Sequence, residues 1–159
     1  MVKVLIDNKA DVNLKRPTDG VTSLLIAAEK GHTEVLKLLL DNKADVNASK
    51  HNGTTPLHMA AQNGHTLVVK LLLEKNADVN ASRHTDGVTP LWIAAQKGHT
   101  EVVKLLLDNE ADVNASDTDK ATPLYMAAQN GHKEIVKLLI ANKAVDYVCI
   151  THAASQTAK

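Results

Sequence analysis

One phrase recurs along this chain at nearly constant intervals. Gly31-His32, Gly64-His65, Gly98-His99 and Gly131-His132 lie 33, 34 and 33 residues apart, and Ala-Asp-Val-Asn begins at Ala10, Ala44, Ala77 and Ala111, at steps of 34, 33 and 34. A period in this range constrains the fold more than any other feature, because each unit is too small to bury its own apolar face and must stack on its neighbours. The alternation hides a block of 67 residues: residues 17–49 differ from residues 84–116 at six positions, Pro17/His84, Ser23/Pro90, Leu25/Trp92, Glu29/Gln96, Leu36/Val103 and Lys43/Glu110. Stacking builds a surface, and no reaction centre recurs within it. The first functional expectation is therefore an interaction protein.

Residues 86–114 show how one unit is written. Asp86-Gly87 is a tight-turn pair, and Thr89-Pro90 reads as an N-cap followed by proline at the first helical position. Leu91, Ala94 and Ala95 share one helix face, with the two alanines allowing close approach of another helix. Gly98 falls where a left-handed C-cap favours glycine, and Thr100 is placed to cap a second helix carrying Val102, Val103, Leu105, Leu106 and Leu107. Asp112-Val113-Asn114 leads out in an extended turn.

This turn, helix, helix, turn unit resembles the ankyrin repeat, in the joint occurrence of Thr-Pro-Leu, Ala-Ala, Gly-His, a leucine triplet and Ala-Asp-Val-Asn. The resemblance implies an all-α solenoid of stacked helix-turn-helix units with projecting β-turn fingers, binding through finger tips and the concave face of the first helices. The units expected are residues 17–49, 50–82, 83–116 and 117–148, with a partial repeat at 1–16 and a degenerate half-repeat or tail at 149–159. Val2 to Asn8 match a second helix alone, and Ile150-Thr151-His152-Ala153-Ala154 weakly match a first helix alone. Either these half-repeats are makeshift caps or the chain is a piece of a longer array, and the apolar Val4, Leu5 and Ile6 at an uncapped end favour the piece.

Two departures from the family pattern predict local geometry. The usual glycine after the second helix is Lys9, Lys43, Asn76, Glu110 or Lys143, each expected to cost roughly 1 kcal/mol if the left-handed conformation is kept. Lys120 replaces the turn glycine of the fourth finger, which is expected to change that finger's shape.

Several function classes lose support from composition. With 18 basic and 18 acidic residues there is no net positive charge to displace counterions from a nucleic acid, and Trp92, Tyr125 and Tyr147 are too few for a base-stacking platform. Cys149 is the only cysteine, which rules out an internal disulfide and suits a reducing compartment. The apolar run before Asp7 is too short for a signal peptide or a membrane span. The expectation is a soluble, intracellular, cytoplasmic protein, monomeric unless its open ends self-associate.

Eight histidines invite a metal or catalytic reading. Packed helices sit about 8–10 Å apart, however, so imidazoles repeated at this period cannot converge on one zinc with ligands at about 2 Å. His32, His65, His99 and His132 read as structural caps, His58 as a structural turn histidine, and Asp45, Asp78 and Asp112 as turn residues. No His-Glu-x-x-His, Cys-x-x-Cys, phosphate loop or nucleophile elbow is present. No catalytic residue, cofactor or metal site is expected, and the chain is not read as an enzyme.

The candidate protein-binding residues follow from where the copies differ. At the position of His58 stand Leu25, Trp92 and Tyr125, one helical turn before Glu29, Gln96 and Gln129. Trp92 and Tyr125 are either anchors for a partner, since aromatic residues are enriched in hot spots, or fillers of the junction between repeats. Gln96, Lys97, Gln129 and Asn130 match the family's concave contact positions, and Gln62 and Asn63 are included with them. His51, Asn52, Thr85, Asp86, Val88 and Asp119 complete the set at the fingers, where variable loops sit on a rigid scaffold. Four units could supply roughly 800 Å² to a partner protein. The alternative reading is a substrate-recruiting or targeting segment of a larger enzyme or a host-directed effector.

Overall fold

The computed structural model describes residues 3, 4 and 8–145 of the 159-residue chain. Among these residues Lys3 and Val4 are helical, no strand occurs, and eight helices follow in full: α1 (Ser23–Lys30), α2 (Thr33–Asp41), α3 (Pro56–Asn63), α4 (Thr66–Glu74), α5 (Pro90–Lys97), α6 (Thr100–Asp108), α7 (Pro123–Gln129) and α8 (Lys133–Ala141). The expectations for Val2 to Asn8 fall largely, and those for residues 149–159 wholly, outside the described residues.

Local chemistry sets each helix pair. Thr22, Thr55, Thr89 and Thr122 are extended N-caps whose hydroxyl oxygens accept the backbone N–H three residues on, at 3.2–3.4 Å. Proline opens α3, α5 and α7, where its missing N–H costs nothing. Helices α1, α3 and α5 end on Gly31, Gly64 and Gly98 at φ +72°, +70° and +81°. One expectation is corrected at the second helices. They start at Thr33, Thr66, Thr100 and Lys133, the residue before each is the histidine of the Gly-His pair, and that histidine makes no side-chain cap. Thr100 is thus the first helical residue, not the cap.

The units pack in two rows. First helices stack on first helices, α1 on α3 on α5 on α7, and second helices stack on second helices, with closer packing in the first row. Ala28, Ala61 and Ala95 have no exposed surface and set that closeness, while Leu36, Val69, Val103, Leu72 and Leu106 fill the space between rows.

Finger length explains the alternating period. The first and third fingers close from Arg16 to Val21 and from Arg83 to Val88 (N–H to O, 2.8 and 3.0 Å), whereas the second and fourth close one residue sooner, from Lys50 to Thr54 and from Asp117 to Ala121 (both 3.0 Å). The longer fingers are braced by Arg16 and Arg83 forked onto Asp19 and Asp86. The expected change of shape at Lys120 does not occur. Its φ is +67°, beside +84° at Gly53, and its N–H bonds Asp117 O at 3.1 Å as that of Gly53 bonds Lys50 O at 2.9 Å. Hydrogen bonds from Asp119 N–H and Ala121 N–H to the Asp117 carboxylate hold this turn without glycine.

The left-handed geometry expected after the second helices is present at Lys9, Lys43, Asn76, Glu110 and Lys143, with φ between +61° and +68°. Turn roles for the aspartates are also seen: Asp11, Asp45, Asp78 and Asp112 accept the N–H two residues on at 2.9–3.0 Å.

Candidate interaction surface

The surface left to a partner is what remains once the junctions between units are satisfied. Three recurring hydrogen bonds consume most of the repeated polar residues. The first comes from the histidines: His65, His99 and His132 reach back to the carbonyls of Glu29, Gln62 and Gln96 at the end of the preceding first helix, each at 3.0 Å. A carbonyl can only accept, so Nε2 carries the hydrogen. These rings lie over Gly31, Gly64 and Gly98, where a Cβ would come within 2.6–2.7 Å of an imidazole atom. The expected cap role is therefore corrected to a staple between units, and glycine is required both by its φ and by the approaching ring.

The second bond joins the bases of the units. Asn13, Asn47, Asn80 and Asn114 accept, through Oδ1, the backbone N–H of Asp45, Asp78, Asp112 and Val145 at 2.7–2.9 Å. A third runs along the fingers, where the N–H groups of His51, His84 and Thr118 donate to Asp19 O, Asn52 O and Asp86 O, each at 2.9 Å. Together these occupy backbone groups that would otherwise be open at each boundary.

The position that carries His58 in the second unit makes a fourth contact. His58 is 1% exposed; its Nε2–H donates to Val88 O at 2.9 Å, and its Nδ1 accepts from the Thr55 hydroxyl at 2.8 Å and the Thr55 N–H at 3.3 Å. Burial strips water from the ring and pushes its pKa down to about 4, although the carbonyl bond works in the opposite direction. Trp92 in the third unit is 8% exposed, and its Nε1–H donates to Ala121 O at 2.9 Å.

The candidate residues separate accordingly. Trp92 and Val88 are corrections to the contact set: Trp92 fills the junction, and Val88 is 2% exposed in the core. Asp86 is half-buried; burial favours its neutral form, but the Arg83 fork outweighs this and holds the carboxyl below its ordinary pKa. Asn52, Gln62 and Gln96 are half-buried, and the carbonyls of all three are engaged in junction bonds. His51, Thr85 and Asp119 at the fingers, and Asn63, Lys97, Gln129 and Asn130 at the ends of the first helices, are exposed. The amides of Asn63 and Asn130 fold back to Met59 O and Met126 O at 2.8 Å. Tyr125 is 44% exposed and lines a groove of about 920 Å³ at the C-terminal face, with Leu124, Met126, Val136 and Ile140. That groove has no counterpart in the repeat pattern and was invisible in the sequence.

Among the described residues no three His, Cys, Asp or Glu side chains converge to hold a metal ion, and no helix is long and apolar enough to cross a membrane.

Helix pairs joined only to their neighbours, with projecting turns, define a linear repeat solenoid. The chain belongs to the ankyrin repeat family: the family model for ankyrin repeats (3 copies) matches residues 1–83 and again 81–150. Domains of this family are generic protein–protein interaction modules and typically non-catalytic. A comparison with curated proteins found no match.

Proposed function

We propose that the chain binds a protein partner through the finger tips, which carry His51, Thr85 and Asp119, and the exposed ends of its first helices, which carry Asn63, Lys97, Gln129 and Asn130. One observation carries this reading. The side chains that recur at the junctions are spent on bonds between units, whereas the exposed tip residues His51, Thr85 and Asp119 belong to finger sequences that differ from one unit to the next. His51, Thr85 and Asp119 stand at three successive tips that differ in charge and hydrogen-bonding character. Such a strip recognises a partner by pattern, with the scaffold held rigid behind it.

The test is affinity capture from a matched cell lysate with the wild-type chain and with the double variant Lys97→Glu, Asp119→Lys, both sites being exposed and outside every junction bond. Retention of a protein by the wild type and its loss from the variant, at equal helicity by circular dichroism, is the expected result. Equal capture by both removes the strip from consideration.

A further inference from the structure

Residues 59–65 and 126–132 are the same heptapeptide, Met-Ala-Ala-Gln-Asn-Gly-His, so Asn63-Gly64 and Asn130-Gly131 are identical in local sequence. Asn52-Gly53 is the third asparagine followed by glycine. This dipeptide carries a chemistry of its own, because glycine has no Cβ to shield its backbone nitrogen from the preceding side-chain amide and turns freely enough to bring the two together.

Within their own units Asn63 and Asn130 are held alike. Their Nδ2 groups donate to Met59 O and Met126 O at 2.8 Å, and the N–H groups of Gly64 and Gly131 donate to Ala61 O and Ala128 O at 3.4 and 3.1 Å. The following unit separates them. His99 donates to Gln62 O at 3.0 Å, and its ring lies where a Cβ on Gly64 would come within 2.7 Å of it, which leaves Gly64 half-buried. At Gly131 nothing among the described residues comes within 4 Å of that point, and Asn130 and Gly131 are both exposed. Asn52 is also held by the following unit: its carbonyl accepts the His84 N–H at 2.9 Å, its Oδ1 accepts the Thr54 N–H at 3.1 Å, and Gly53 is buried beneath the His84 ring.

We propose that Asn130 is the preferred site of succinimide formation and deamidation in this chain, and that His99 and His84 protect the other two asparagine-glycine pairs. Hydroxide takes the Gly131 amide proton and the nitrogen attacks Asn130 Cγ; the N–Cγ bond forms as the Cγ–Nδ2 bond breaks, and Nδ2 leaves as ammonia with a proton from water. Water then opens the imide at either carbonyl, giving aspartate or isoaspartate. To reach that geometry the Asn130 amide leaves Met126 O and the backbone turns, a local opening that at Asn63 must also displace His99. The product carboxylate cannot donate to Met126 O and lies at the C-terminal end of α7, where the helix dipole disfavours negative charge. The reaction needs no partner, so it does not depend on the binding surface to which Asn130 also belongs.

Peptide mapping by mass spectrometry tests this on the full chain incubated in mildly alkaline buffer, with and without guanidinium chloride. In the folded chain Asn130 is expected to convert about tenfold faster than Asn63, the factor that one hydrogen bond of ordinary net strength sets on a local opening, and faster than Asn52. In denaturant the two copies of the heptapeptide are expected to react at equal rates. His99→Ala, with its fold checked by circular dichroism, is expected to bring Asn63 toward the rate of Asn130; if that variant does not fold, the comparison within the wild type decides alone. Equal rates at Asn63 and Asn130 in the folded wild type would overturn the proposal, as would no conversion at Asn130 or faster conversion at Asn52. So would a difference that persists in denaturant, or a folded His99→Ala chain in which Asn63 stays slow.

Discussion

Trp92 does in the third unit what His58 does in the second: each reaches from the first turn of a first helix to a carbonyl at the base of the next finger, Ala121 O and Val88 O respectively, at the same 2.9 Å. An indole and an imidazole share little in size, but each places one N–H donor beyond an apolar ring. Only one of them titrates, so two neighbouring junctions of like geometry differ in their response to acid.

The junction between the second and third units weakens below neutral pH. Neutral His58 is the form the fold accepts; its pKa of about 4 lies below the unfolded 6.5, so the unfolded chain binds the additional proton between these values. Stability contributed by this group is complete above pH 6.5 and is lost as pH falls through 4, by on the order of 3 kcal/mol. Urea unfolding at pH 7 and pH 4 is expected to show this loss in the wild type, and His58→Trp is expected to reduce the difference.

Gly98 and Gly131 are expected to tolerate alanine unequally. Both have positive φ, +81° and +75°, and share a strain of roughly 1 kcal/mol on substitution. At Gly98 the new methyl would also lie 2.6 Å from His132 Cε1, whereas at Gly131 it meets nothing. Overpacking adds about 1–3 kcal/mol, so Gly98→Ala should lower stability well beyond Gly131→Ala in denaturant titrations. Equal effects would show that the His132 ring moves aside without cost.

Glu110→Gly is expected to stabilise the protein. Glu110 holds φ +64° while offering its carbonyl to Asn80 Nδ2 at 3.3 Å, a bond that glycine retains. Relief of the left-handed strain is about 1 kcal/mol, which for a chain of this size corresponds to roughly 2–4 °C in melting temperature. Calorimetry showing no rise would mean that the Glu110 side chain contributes as much as its backbone strain costs.

Asn80→Ala removes the acceptor for Asp112 N–H (2.7 Å) and the donor to Glu110 O together. The groups left behind are exposed to water, so the expected loss is modest, about 1–2 kcal/mol. Thermal melts should place it below the loss from His132→Ala, which empties the space over Gly98 as well as removing a hydrogen bond.

The sequence by itself determined what is local and periodic. Thr89-Pro90 announced a capped helix start, Gly98 a left-handed stop, Asp112 and Asn114 a turn, and the replaced glycines at Lys43 and Glu110 a positive φ, because each depends on a few neighbouring residues whose chemistry is visible in order. The exposure of His51, Thr85 and Asp119 at the fingers was partly legible, since turn residues that vary within a repeating frame are visible as exceptions. Tertiary structure alone decided which unit each side chain serves. A strict period repeats a residue whether it bonds within its own unit or to the next, so His99 read as a cap until its ring was placed over Gly64, and Trp92 was as consistent with a partner anchor as with a junction filler. Burial of Val88 and the exposure of Ala128 follow from what does and does not stack on them; stacking joins residues about 30 positions apart, and periodicity records that distance without saying which neighbour is touched.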